Sequence, residues 1–421
     1  MEHFEDTLEF AQQLDKNDPL AQYREKFFIP KMENGKECIY LCGNSLGLQP
    51  KTVRQAIGQE LDDWAKYGVE GHFHAKNSWV SYHELLAEPT ARLVGAKPSE
   101  VVTMNSLTVN LHILMVSFYR PTPERHKILI EANAFPSDQY AVKSQIAYHG
   151  YNIDDSLIEV GSHNGDAAIH DEDIFSIIER EGDSIALILL GGVNYLTGQV
   201  FDMRKITELG HKKGCVVGFD LAHGAGNIVL KLHDWDVDFA VWCTYKYLNS
   251  GPGSIASAFV HQRHESSKLP RFAGWWGHDK KSRFKMGPNF QVLDGAEGWQ
   301  LSNPPIFQLA ALRASMAIFD EVGMPTLRNK SVLLTEYLFF LIDKCLNDNV
   351  EIITPREPER RGCQLSIRVT YNGRELFHSL LKQGVICDWR EPDVVRVATV
   401  PLYNSFTDVF RFVEVFKRVI S

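Results

Sequence analysis

The segment CVVGFDLAHGAGNIVLKLHDWDVDFAVWCTYKYLNSGPG, residues 215–253, decides the fold. It begins with an apolar run, 215–223, in which Asp220 closes CVVGFD, and it ends with a second run, 238–246, that reaches Lys246. A third run, SIASAFVH (254–261), follows a Gly-Pro-Gly breaker. Runs this apolar suit strands covered on both faces, as in a mostly parallel sheet flanked by helices.

The same pattern extends toward the N-terminus. HKILIEA (126–132) and SIALILLGGV (184–193) read as further strands, and MRKITELGHKKG (203–214) as a helix with basic residues in its last turn and Gly214 as its stop. From about Leu309 the character changes: a long helical stretch (309–348), the strand CQLSIRVTY, the helix GRELFHSLLKQG, short strands in VICDW and VVRVATV, and a closing amphipathic helix. The expected organisation is α/β: a large domain at 51–308, a smaller α+β domain at 309–421, and a segment at 1–50 packing across both.

Composition narrows the function. A formal charge of −9 disfavours nucleic acid, whose phosphates need a basic face. No segment approaches 18 uninterrupted apolar residues, so no membrane span is expected. The acidic start lacks the basic and apolar regions of a secretory signal, and a cytoplasmic location is expected. Seven scattered cysteines (Cys38, Cys42, Cys215, Cys243, Cys345, Cys363, Cys387) fit reduced thiols, and neither the Cys38/Cys42 pair nor the His-x-His at 72–74 has partners at metal spacing.

In an open α/β sheet, ligands bind beyond the carboxyl ends of the strands, which is where the sequence puts Asp220 and Lys246. A lysine amine can bond covalently to a pyridine aldehyde, and a carboxylate opposite it can keep the ring nitrogen protonated. That pair is what pyridoxal 5'-phosphate requires, although a salt bridge without catalytic meaning would use the same residues. His223 lies three residues after Asp220, placed to stack over or hydrogen-bond a ring, or to serve structure alone. In MNSLTVNLHILMVSFY (104–119), Leu107 and Thr108 would open a helix whose N-terminus can bind phosphate, unless Ser106 or Thr108 is merely its cap. Phe135 is either a stacking partner or core.

The chain resembles kynureninase, a fold-type-I pyridoxal-phosphate enzyme of the aspartate aminotransferase superfamily. The resemblance runs through YLCGNSLGLQP (40–50), MNSLTVNLH (104–112), AFPSDQYA (134–141), GFDLAHGAGN (218–227), WCTYKYLNSGPG (242–253), GWWGH (274–278), LSNPP (301–305) and VRVATVPLYNSF (395–406). It implies that Lys246 anchors the cofactor, that Asp220 pairs with its pyridinium, and that Tyr245 takes part in catalysis. Leu107, Thr108, Phe135, Asp138, His223, Tyr245, Trp275 and Asn303 would line the cofactor. Arg396 would clamp the substrate carboxylate, a task that suits a bidentate fork. Ser45, His72 and Asn303 would lie near the substrate's aromatic ring. Two positions depart from or blur the pattern: Gly191 stands where animal relatives tend to have Ser, and both His72 and His74 compete for a single family histidine.

The implied reaction is hydrolytic Cβ–Cγ cleavage of L-kynurenine or 3-hydroxy-L-kynurenine, with His72 and Asn303 favouring the hydroxylated ring. The resemblance also implies a homodimer with shared sites, Trp275 and Asn303 being contributed by the partner. The competing readings are a cysteine desulfurase using Cys363, an aminotransferase, and a carrier that keeps the fold without turnover.

Overall fold

The structure is a computed structural model describing residues 4–162, 166–265, 268–344 and 350–420. Cys345, the end of the stretch read as helix at 309–348, and Ser421 lie outside the described residues. Thirteen strands occur among the described residues: β1 (Ile39–Tyr40), β2 (Val101–Thr103), β3 (Lys127–Glu131), β4 (Leu157–Val160), β5 (Ile185–Gly191), β6 (Val216–Asp220), β7 (Phe239–Cys243), β8 (Ala256–Val260), β9 (Val350–Ile352), β10 (Gln364–Val369), β11 (Val385–Ile386), β12 (Asp388–Arg390) and β13 (Val394–Ala398).

Seven of them form the central sheet in the order β2-β8-β7-β6-β5-β3-β4. The pairings from β7 through β4 are parallel, and β8 runs against both its neighbours. The apolar runs expected to be doubly covered are so. Leu129, Ile188, Leu190 and Trp242 enter one core, and Ile128, Ile130, Leu187, Leu189 and Val241 enter another. Alternate side chains leave opposite faces of a pleated strand, so each face needs its own helical layer. One layer is built from the helices Leu107–Phe118 and Pro136–Tyr148. The other includes Ala87–Val94, Asp171–Glu181, Met203–Lys212 and Ile306–Val322.

The C-terminal part carries an antiparallel sheet, β12-β13-β10-β9, under the helix Phe406–Ile420. β1, from the N-terminal segment, pairs with β11. The N-terminal segment feeds both bodies, with Ala11 and Leu41 in the C-terminal core and Leu20, Tyr23, Phe27 and Leu48 in the sheet's core. The stretch read as one long helix is two, Ile306–Val322 and Met324–Asp343. Gly323 separates them at φ +77, a left-handed conformation that interrupts the helix, and Pro325 restarts it in the first turn. Packing passes from one core to the other within the second helix, between Leu327 and Leu334. No helix among the described residues is long and apolar enough to cross a membrane.

Candidate active site

Strand order brings the carboxyl ends of β7, β6, β5 and β3 side by side, and therefore Asp220, Gly191 and Glu131. One pocket at these ends is lined by Leu107, Thr108, Phe135, Asp138, His223, Tyr245 and Lys246, with Glu131, Ser137, Gly191, Val193, Tyr195, Asp220 and Ala222.

Lys246 does not end its strand. β7 stops at Cys243, and the lysine sits in the turn beyond it. The side chain of Thr244 closes that turn: its hydroxyl donates to the Ile255 carbonyl and meets the Ser250 hydroxyl at 2.6 Å. Gly251 and Gly253 carry the chain away at φ +99 and +63, where L side chains are strained. The GNSLG loop docks on the same turn. Gly47 N–H donates to the Tyr245 carbonyl at 2.9 Å, and a Cβ at Gly47 would stand 2.3 Å from the Lys246 carbonyl oxygen. Two blocks 200 residues apart in sequence thus form one surface.

Lys246 Nζ lies 3.0 Å from His223 Nε2 and 5.8 Å from the Phe135 ring centre. Burial drives the His223 imidazole well below its ordinary pKa, and the positive charges of Lys246, Arg396 and Arg390 add to that. The ring is therefore neutral, Nε2 accepts from the lysine, and Nδ1 faces the Tyr247 hydroxyl at 3.4 Å. Asp220 Oδ1 accepts from Ala222 N–H at 2.8 Å. Burial raises the Asp220 carboxyl, and Ala222, Lys246 and Asp138 act against it. Asp138 is raised well above the usual range, by burial first and then by the charges of Asp220 and Glu131 and a hydrogen bond to Asp220. Of the two, Asp138 is pushed further toward its protonated form, because Lys246 and the Ala222 N–H act on Asp220 in the opposite sense to burial. Burial and its contact with Cys243 likewise hold the Tyr245 phenol protonated, so it can act as a donor.

Thr108 and Ser137 hydroxyls meet at 2.7 Å beside the first turn of the helix Leu107–Phe118. Ser106 occupies the cap position but its side chain bonds no helix N–H, which leaves that turn open to an anion. Phe135 leaves 40% of its surface exposed and meets Tyr195 edge-on at 5.3 Å. Asp138 Oδ1 is buried without a partner. An amine, an anionic carboxylate, an aromatic platform and an open helix N-terminus with hydroxyls fit a pyridine aldehyde bearing a phosphate. Glu131, Ser137 and Tyr195 were not picked out by the sequence reading. Ser137 stands inside AFPSDQYA, between the expected cofactor-lining residues Phe135 and Asp138.

Arg396 lies behind Tyr195. It is 1% exposed, its Nη1 donates to the Tyr195 carbonyl at 2.5 Å, and its Nη2 pairs with Asp388, which also holds Arg390 at 3.1 Å. Burial pushes the guanidinium down to about 10, so it stays charged, and Nε has no partner.

Besides Arg396, four expected residues do not line this chain's pocket. Ser45 sits in the loop docked on the Lys246 turn, its N–H bonded to the Cys42 carbonyl. His72 lies in the short helix Gly71–His74, with Nδ1 2.9 Å from the Val69 carbonyl and its ring edge-on to Trp79, whereas His74 pairs with Glu70 at 3.6 Å. Trp275 is 39% exposed and donates to the Arg283 carbonyl. Asn303 lines a different hollow, with Thr103, Asn105, Gly253 and Gln300.

Among known proteins, the chain is 62% identical to the kynureninase of Koribacter versatilis (strain Ellin345) over 414 residues, 98% of each chain. It is 58% identical to the kynureninase of Myxococcus xanthus (strain DK1622), covering 98% of this chain and 97% of the relative. This chain belongs to the kynureninase family. Residues 327–416 match the model of the kynureninase C-terminal domain, which includes the buried Arg396. In shape the chain is similar to the apo cysteine desulfurase from Thermococcus onnurineus NA1, with a TM-score of 0.76 at 16% identity over 97% of this chain and 98% of that one. That likeness is one of fold. Cys363, the residue a desulfurase reading would need, is 1% exposed and burial pushes its thiol up to about 12, so it is protonated and enclosed. Kynureninase membership gives the pocket at the strand ends its chemical context.

Proposed function

We propose that this protein is a pyridoxal-phosphate-dependent hydrolase that cleaves the Cβ–Cγ bond of L-kynurenine or 3-hydroxy-L-kynurenine, releasing the anthranilate and L-alanine. The observation that carries the reading is the Lys246 amine on a neutral His223, in one pocket with Asp220 and with Asp138, whose Oδ1 is unpartnered. Leu107, Thr108, Phe135, Asp138, Asp220, His223, Tyr245 and Lys246 are the residues we assign to hold the cofactor. Bound there, it supplies an electron sink for the pairs left when bonds to Cα and Cβ break.

Arg396 would bind the substrate carboxylate through a guanidinium whose Nε is unpartnered, fixing the amine toward Lys246. Lys246 would remove the Cα proton and accept and return protons at that face. His223, neutral and buried, would orient the amine without competing for the proton. Asp220 would hold a proton at the ring nitrogen. Water adds its hydroxyl to the Cγ carbonyl carbon, and the Cβ–Cγ bond breaks. The Tyr245 phenol would supply the proton to Cβ and regain one from the proton that the adding water gives up, so the elements of one water are divided between the two products. Residues 51–308 would thus bind cofactor, and 309–421 would present Arg396. We place the activity in the cytoplasm, in tryptophan catabolism and the supply of NAD.

The direct test is anthranilate fluorescence on adding kynurenine to the purified, cofactor-loaded protein. Running both substrates also tests the ring preference: kcat/KM should favour 3-hydroxykynurenine, and His72→Ala should narrow the ratio. A wild type that prefers unsubstituted kynurenine would remove the assignment of His72 and Asn303 to the ring hydroxyl.

Trp275 and Asn303 lie away from the Lys246 pocket of their own chain, and we infer that a homodimer brings them, with His72 and Ser45, to the neighbouring site. Mixing Lys246→Ala chains with Asn303→Ala chains should then rebuild about a quarter of the sites, because a mixed dimer has one intact site of two. Activity that stays at the sum of the two variants would sink the shared-site arrangement.

A further inference from the structure

Glu131 is a buried carboxyl group for which the mechanism above has no use. It ends β3, is 4% exposed, and lines the Lys246 pocket. Its two oxygens accept from one backbone donor, Gly191 N–H, at 3.2 and 3.1 Å. Gly191 ends β5 and lies opposite Asp220 of β6 in register. The three strand ends therefore set Glu131, Gly191 and Asp220 in a row.

The glycine has a role in this row. A Cβ at Gly191 would stand 2.8 Å from Glu131 Oε1, so a side chain there meets the carboxylate directly. A missing side chain at 191 leaves room for an acidic group to be held against the pocket floor by the backbone.

We propose that Glu131 is a positioning residue whose charge, relayed through Asp220 and Asp138, sets the protonation of the lysine-bound cofactor. The inference rests on reading this pocket as the pyridoxal-phosphate site. The groups around Glu131 are Asp220 on β6, Asp138 on the helix Pro136–Tyr148, and His223, Tyr245 and Lys246 in the turns after β6 and β7; β4 places Val160 opposite it. With Lys246 the one amine among them, the carboxyl groups cannot all be anionic. Burial pushes Asp138 and Asp220 up as well, and Glu131 is the one that ends its strand beside them with a single backbone donor. Burial and the Asp220 charge raise it to about 7, against the Gly191 hydrogen bond that stabilises its anion.

The sign follows from electrostatics. Above about pH 7 Glu131 is an anion, and an anion favours the protonated, positive form of any group nearby. Removing it should let the cofactor linkage lose its proton at lower pH.

The test is the visible spectrum of the full-length protein loaded with pyridoxal 5'-phosphate, titrated from pH 6 to pH 9, for wild type and Glu131→Gln. Glutamine keeps an oxygen for Gly191 N–H but carries no charge. The midpoint should fall by about one pH unit, the size of a single charge acting through a partly buried site. Superimposable curves would overturn the proposal and leave Glu131 as a backbone cap. Should Glu131→Gln not fold, Gly191→Ala decides: displacing the carboxylate should move the midpoint in the same sense, and an unmoved midpoint overturns the proposal. A wild type that takes up no cofactor overturns the site reading and this inference with it. A binding wild type beside an unmoved variant overturns the inference alone.

Discussion

Lys246→Ala is expected to abolish the visible absorbance of covalently held cofactor and to lower turnover by at least about four orders of magnitude. Two functions are lost together: the covalent anchor and the base that handles the Cα proton, the latter alone being worth about 10²–10⁴. The change also strands a neighbour. His223 Nε2 loses its donor at 3.0 Å inside a buried site, and an unmet buried polar group costs about 1–3 kcal/mol. The apoprotein should therefore melt a few degrees lower, by an amount independent of cofactor. Borohydride treatment followed by dialysis distinguishes the cases: wild type retains the reduced, fluorescent adduct, and Lys246→Ala releases it. Retention by the variant, or turnover within tenfold of wild type, would remove Lys246 from the centre of the mechanism. Lys246→Arg should not rescue, because a guanidinium that is always charged neither bonds to an aldehyde nor takes a proton.

Much of the pocket's lining is legible in the sequence. The doubly covered strands were legible because residues such as Leu187–Leu190 are apolar without alternation, a pattern that one-sided sheets do not produce. Asp220 and Lys246 followed from the rule that ligands gather at carboxyl ends. Strand order was not legible, and it decided what the sequence reading missed. Glu131 reaches Gly191 only because β3 lies beside β5, although 60 residues separate them. Tyr195 matters because its carbonyl holds Arg396, 201 positions away. The short strands β2 and β4 gave too few residues to show a period. The run that reaches Lys246 in the sequence stops as a strand at Cys243, since nothing in TYK announces that Thr244 will bond back to Ile255 and Ser250. At Gly191, where animal relatives tend to have Ser, a Cβ would stand 2.8 Å from Glu131 Oε1, so the carboxylate occupies the space a side chain would need. Ser45, His72, Trp275 and Asn303, which do not line this pocket, depend on a second chain under the reading proposed here.

Asp220→Asn should be nearly as damaging as loss of the lysine, and for a different reason. Asparagine keeps an oxygen for Ala222 N–H, the 2.8 Å bond that fixes the aspartate, so folding and cofactor uptake should persist. What goes is the anion that keeps a proton on the ring nitrogen, and with it the pull of the ring on electrons leaving Cα. A loss of about 10²–10⁴ in kcat is expected from a buried charge of this kind, with KM little changed. Asp138 sets the floor of that loss. After burial, its pKa is raised by the charge and hydrogen bond of Asp220 and by Glu131, so it should fall once Asp220 is neutral. Its buried Oδ1, partnerless in the native pocket, would then offer a substitute anion. Asp138→Asn alone should therefore cost less than Asp220→Asn, while the double variant should lose more than the two single losses combined. A double-mutant cycle on kcat reads the coupling directly. Strict additivity would mean that the two carboxyl groups do not share a proton, and the electrostatic account of the pocket would have to be rebuilt.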